Sequence, residues 1–441
     1  MRDILVTAIV VCVIPFIMRR PYVGVLAYVW ISVMNPHRLT WGFAHDFPFA
    51  ALIAGVTLVS CLFKNKELRR PPINGLTVAL FLFAAWTGVT TVFSLYPAQS
   101  YELWAAMMKT MIMAALIPML VHGKVQLRQL LWVIVLSIAY YGVKGGVWFL
   151  LTGGAERIYG PPSSYIEDNN YLAVAVIMII PLMRYLQVTS PHKYVRWALT
   201  AMMLLCGVAA LGSYSRGALL AVAAMLMVLW WKSRQKMLLM LIAIATIPAV
   251  LLYLPEHWYQ RMDTITNFEQ DGSASARLNA WATMLHLAED RPAVGGGFDV
   301  AEPPVFQKYA PDPRFHAQVA HSIYFQALGE HGFVGLGLYL LLYLMFWRYA
   351  NRLARLDATH PESDWVREFG LMTQVSITGF LVGGAFISLV NFDVPYYLIG
   401  VLAATRRLID SEVPITVVPR IDLPSALAAV HAKRSPGARG G

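Results

Sequence analysis

The sequence predicts an all-α integral membrane protein of about twelve transmembrane helices with one large loop on its outer face. Three observations carry this. Of the 441 residues, 58% are hydrophobic and 14% charged, with a mean hydropathy of +0.55, outside the range of soluble globular domains. Apolar runs close to the roughly 20 residues that cross a hydrocarbon core recur along the chain. Basic residues fall in alternate connections between those runs, the pattern that the positive-inside rule assigns to the cytoplasmic face.

In order, the runs are 3–17, 22–35, 47–63, 75–95, 101–121, 129–151, 171–187, 197–212, 217–231, 237–254, 322–347 and 370–405, the last broken by "NFDVP" and readable as one helix or two. The first is followed by Arg19 and Arg20 with no small-residue cleavage site, so it is expected to stay in the mature protein. Cationic connections follow at Lys64 to Arg70, Lys124 to Arg128, Lys193 to Arg196, Lys232 to Lys236, Arg348 to Arg355, and Arg406 with Arg407. These are expected inside. The connections between them carry almost no Lys or Arg, Arg38 and Arg157 excepted, and are expected outside.

The chain therefore divides into transmembrane helices over 1–254, an outer loop over 255–321, C-terminal transmembrane helices over 322–408 and a disordered tail over 409–441. The loop holds "SARLNAWATMLHLAED", with helical apolar spacing and Ser275 as a cap. A net charge of +10 suggests nucleic acid in a soluble protein, but here it reports topology, and no nucleic-acid partner is expected. Cys12, Cys61 and Cys206 lie far apart inside apolar runs, which suits packing better than disulfides or zinc.

Several polar groups near the outer face invite chemistry. Arg216, in "GSYSRGALLA", opens a helix, where backbone donors and the helix dipole add to its charge; Arg277 in the outer loop adds a second guanidinium. Together they predict an anionic ligand at the outer boundary. Lys109 and Lys144 lie inside spans, roughly 10 to 12 Å from their outer ends at 1.5 Å per residue. Each either joins that site or snorkels. His321 begins the next span. Alone it reads as a wetted interfacial imidazole, but beside two arginines it becomes a base next to a phosphate clamp. His316 and His321 are five apart with no carboxylate cluster, so no metal site and no cofactor are expected. "VGGGFDV" follows no strand and reads as a surface turn. Asn169 and Asn170, after Asp168, either cap a helix or bond sugar hydroxyls. Tyr324 and Glu330, further into the span after His321, either orient the histidine or acceptor or simply pack.

The blocks "SYSRGALLA", "SARLNAWATMLHLAEDRPAVGGGF" and "HSIYFQALGEHGFVGLGLY", in that order, resemble the O-antigen ligase and O-antigen polymerase superfamily of bacterial inner membranes. The motifs span roughly 160–337, and topology alone extends the likeness. "RRPYVGVLAYVWISVMNPHRLTWGFA" and "EDNNYLA" look like its ligase-like branch. The resemblance implies a metal-independent, inverting glycosyltransferase of the membrane-embedded C type (GT-C), active on the periplasmic face. It implies His321 as the base and Arg216 and Arg277 on the pyrophosphate of an undecaprenyl-pyrophosphate-linked O-antigen donor. Lipid A-core oligosaccharide is the implied acceptor in lipopolysaccharide biosynthesis. Many members have Asn where this chain has Ser322, and "NPN" where it has "DNN". A protein O-oligosaccharyltransferase and an O-antigen polymerase do nearly the same chemistry. From another class, a transporter of an anionic lipid or metabolite is disfavoured, because no internal repeat is visible and the candidate groups lie toward one face.

Overall fold

The computed structural model describes residues 1–154, 156–233, 235–237, 240, 241, 244, 272–357, 359 and 362–412, and the described residues form helices without strands. In chain order these are α1 (Arg2–Arg19), α2 (Pro21–Met34), α3 (Phe49–Phe63), α4 (Gly75–Val92), α5 (Pro97–Leu120), α6 (Lys124–Leu151), α7 (Asn169–Val188), α8 (Lys193–Leu211) and α9 (Arg216–Lys232). They continue with α10 (Gly272–Asp290), α11 (Pro303–Tyr309), α12 (Ile323–Ala354), α13 (Ser363–Gly384) and α14 (Asp393–Glu412). The expected run at 237–254 and the start of the outer loop lie largely outside the described residues, as does the tail from 413.

Among the described residues, six helices are long and apolar enough to cross a membrane: α4, α5, α6, α7, α8 and α12. α2 and α3 are apolar but shorter, 14 and 15 residues. The run at 370–405 is two helices, α13 and α14, parted at the polar break before Asp393, and α14 continues to Glu412, so the first residues assigned to the tail are helical. Local chemistry explains the starts. Asn74 and Thr77 form a reciprocal capping box on α4, Asp168 caps α7 through the Asn170 amide, and proline opens α2 and α5. α10 begins at Gly272, so Ser275 sits inside its first turn instead of capping it.

α7 packs against α6, α8 and α13, while α12 lies between α13 and α4. α14 is buried on every side from Asp393 to Thr405, which is why its sequence shows little periodic contrast there.

The cationic connections meet at one end. Arg407 donates to the carbonyls of Arg70 and Pro118, Lys124 pairs with Glu362 at 2.8 Å, and Ser60 donates to Ile17, which brings the α1–α2 connection to the end of α3. The N-terminus lies at the opposite end, where Asp3 accepts from the amides of Gly42 and Ala44.

Candidate active site

The opposite end carries the polar chemistry, and it is organised around a break in α12. Gly332 has φ 69° and ψ −174°, inside an otherwise continuous helix, a conformation that is essentially confined to glycine. A break frees backbone groups that nothing apolar can satisfy. The glycine-rich segment supplies the partners: Gly296 donates to the Gly329 carbonyl at 2.8 Å, Gly297 to Glu330 at 2.9 Å, and Phe333 donates to Pro292 at 2.8 Å. Trp86 Nε1 satisfies the His331 carbonyl at 3.1 Å. The close approach requires absent side chains, since a Cβ on Gly332 would lie 2.4 Å from the Ala293 oxygen and one on Gly295 2.6 Å from the Gly329 oxygen. "VGGGFDV" is therefore not a surface turn. Gly295 to Phe298 are buried, docked into the helix break.

His321 stands just before α12, with φ 46° in the left-handed region. Ser322 is the N-cap residue, and Trp281 of α10 donates to the Ala320 carbonyl at 2.7 Å while its ring stacks on Phe325 at 5.0 Å. The segment before the imidazole is thus fixed by α10, the helix that carries Arg277. Burial holds His321 below the usual imidazole value; the Arg277 charge pushes the same way, and Asp168 opposes both. The proton-accepting form is favoured at neutral pH. The Arg277 charge also acts on Tyr171, in the first turn of α7.

Arg216 is the first residue of α9, half-buried, with Ser215 capping the helix through the Ala218 amide at 3.2 Å. Asn169 ties this turn to α7 by donating to the Ser213 carbonyl at 2.5 Å. Asn170 bonds Asp168 by both its backbone and its side chain, so both asparagines hold helix starts in place. Tyr214, beside them, has φ 55°. The α13–α14 turn closes the cluster: Phe386 packs near Gly217, the Ser388 amide donates to Tyr171 Oη at 3.3 Å, and Ile323 abuts Gly384.

Beside His321 opens a cavity of 260 Å³. Ala320, Tyr165, Tyr171, Asp299, Gln326, Glu330, Ser388 and Asn391 line it. Glu330, 6% exposed, accepts at Oε1 from Gln326 at 3.1 Å and from the Asp299 amide at 3.2 Å.

Other candidates lie elsewhere. Tyr324 donates to the Leu381 carbonyl at 2.9 Å and does not line the cavity. Lys109 is exposed on α5, and Lys144, also exposed, lines a separate cleft with Arg157 and Tyr159. Sequence reasoning passed over Asp299, Gln326, Ser388, Asn391 and His331. His331 is fully buried, with Nδ1 2.8 Å from Thr90 Oγ1. For Asn391 the signal existed, since it opens the "NFDVP" break in an apolar run.

A larger, apolar cleft of 590 Å³ runs between α4, α5 and α14, from Pro71 and Pro72 to Gly88 and Trp104. Trp104 of α5 lines this cleft, and its neighbour Leu103 lines the cavity near His321.

Residues 1–190 match a family of unknown function (DUF5935), and residues 201–340 match the family described as O-Antigen ligase. No curated protein matches the chain significantly. The second match spans Arg216, Arg277 and the start of α12, and it supports a likeness of this part of the chain to the O-antigen ligase-like superfamily.

Proposed function

We propose that the protein is an O-antigen ligase of the bacterial inner membrane. It transfers O-antigen from undecaprenyl pyrophosphate to lipid A-core oligosaccharide on the periplasmic face. The observation that carries the reading is the pairing of His321, held below the usual imidazole value, with the charge of Arg277, just before a helix whose Gln326 and Glu330 line a cavity.

The donor pyrophosphate lies against Arg216 and Arg277. The α9 N-terminus adds backbone N–H groups to the guanidinium charge there. His321 removes the proton from an acceptor hydroxyl; the oxygen attacks the anomeric carbon from the face opposite the pyrophosphate, the anomeric C–O bond breaks, and configuration inverts. The electron pair leaves on undecaprenyl pyrophosphate, where the arginines stabilise the developing charge. Lys109 and Lys144 guide the anionic headgroup from further out. The apolar cleft between α4, α5 and α14 takes part of the polyprenyl chain, supported by its nearly unbroken apolar lining. Asn169 and Asn170 act by fixing the helix starts that present Asp168 and Arg216.

The test is reconstituted transfer. Purified protein with lipid-linked O-antigen is given lipid A-core, more lipid-linked donor, or a Ser/Thr-rich peptide in parallel. A ladder on lipid A-core alone supports the ligase; polymer on the lipid carrier or a glycosylated peptide reassigns the acceptor. Uptake of labelled donor into proteoliposomes without a covalent product overturns the enzyme reading.

A further inference from the structure

We infer that the cavity beside His321 is a sugar-ring subsite, in which Glu330, Ser388 and Asn391 read the hydroxyl groups of one ring; the inference deepens the transferase reading above and rests on it. Three oxygen atoms carry it. Glu330 Oε2, Ser388 Oγ and Asn391 Oδ1 are each buried without a hydrogen-bond partner among the described residues, and all three residues line this cavity. The nearest basic atom to Glu330 Oε2 is His331 Nε2 at 3.7 Å, too long for a hydrogen bond. Leaving a buried acceptor unmatched costs about 1 to 3 kcal/mol. Three residues with such an atom border one space, from two distant parts of the chain, and together they point to a site that receives donors.

The chemistry of the wall selects among ligands. The lining offers carboxyl, amide and hydroxyl groups and, among the described residues, no cationic side chain, so O–H groups find partners where a phosphate finds no counter-charge. Positioning is stiff. Gln326 donates to Glu330 Oε1 and accepts from the Val390 amide at 3.1 Å, which locks α12 to the turn that carries Ser388 and Asn391. Asp299 is held at φ 51°, with Gln99 donating to it at 2.6 Å. Such strained backbone collects at functional sites. At 260 Å³ the space falls below the roughly 300 to 1,000 Å³ of pockets for drug-sized ligands, and suits one pyranose ring. Tyr165, 37% exposed, also lines the space. The ring is assigned to the acceptor because Val319 and Ala320, the residues that precede His321, line the same space.

Two measurements test this. In reconstituted transfer with donor and acceptor varied separately, Asn391→Ala and Ser388→Ala raise the acceptor KM by about tenfold each, the equivalent of 1.4 kcal/mol, and leave the donor KM unchanged. A rise confined to the donor KM keeps the subsite and assigns the ring to the donor's first sugar. No change in either KM, or a fall in kcat alone, overturns the inference. Independently of any transfer, saturation-transfer NMR with the methyl glycosides of glucose, galactose and mannose should show ring-proton signals from wild type that survive inorganic pyrophosphate. These should vanish in the Ser388→Ala/Asn391→Ala double variant at an unchanged Tm. Wild type giving no signal with any of the three, or the double variant giving the same signal, overturns the subsite even if ligation is confirmed; a signal that persists where ligation fails overturns only the acceptor assignment.

Discussion

Gly297 donates its amide to the backbone carbonyl of Glu330 at 2.9 Å, so a loop residue completes the backbone of a broken helix. Gly332 makes this possible by turning the chain where any side chain would collide. The Gly332→Ala variant combines that collision with about 1 to 3 kcal/mol of backbone strain. It should lower the Tm of the purified protein and abolish transfer. Gly337→Ala, five residues on, where a Cβ meets nothing within 4 Å, should do neither.

The pH dependence of transfer follows from the neighbours of His321. A general base works only when deprotonated, so rate falls on the acid side through the His321 pKa, which burial and then Arg277 hold below the usual imidazole value of 6.5. Arg277→Ala removes a lowering influence, and the acid limb of kcat should move to higher pH. Asp168→Asn removes the raising influence and should move it to lower pH. Opposite displacements in rate profiles at saturating donor are the result that confirms the arrangement.

Asn169 acts at a distance. Its side-chain amide donates to the Ser213 carbonyl within the turn that leads into Arg216. Asn169→Ala leaves that buried carbonyl unmatched, about 1 to 3 kcal/mol, and should raise the donor KM more than the acceptor KM. Asn169→Asp, which faces the carbonyl with a second acceptor, should be worse than alanine. Steady-state kinetics with each substrate varied in turn resolves this.

The apolar cleft gives a prediction about chain length. Ala115 lines it, and Ala115→Trp fills it from α5. The KM for the long polyprenyl donor should rise several-fold, while a short-chain prenyl pyrophosphate analogue, which does not reach so far, should be unaffected.

Much of this was legible in the chain itself, and the boundary is physical. The helix that starts at Arg216, the Asp168 cap and the position of His321 before an apolar helix are local features, written in residues a few positions apart. The docking of Gly296 and Gly297 into the α12 break was not, because a glycine-rich stretch reads alike whether it turns in solvent or lies against another backbone. Ser388 and Asn391 reach the cavity through a tertiary contact with Gln326, more than sixty residues earlier, which no periodicity encodes. Lys109 and Lys144 illustrate the converse. Depth along a helix was readable, yet the face each one presents is set by neighbours, and both are exposed.

The central claim is that His321 activates the acceptor while the arginines hold the donor. The most direct measurement compares wild type with His321→Ala and Arg216→Ala, in the presence of a chelator, for binding of lipid-linked donor and for the ladder on lipid A-core. The account predicts a chelator-resistant ladder for wild type, donor binding without product for His321→Ala, and weakened donor binding for Arg216→Ala. A His321→Ala protein that ligates at the wild-type rate would contradict it.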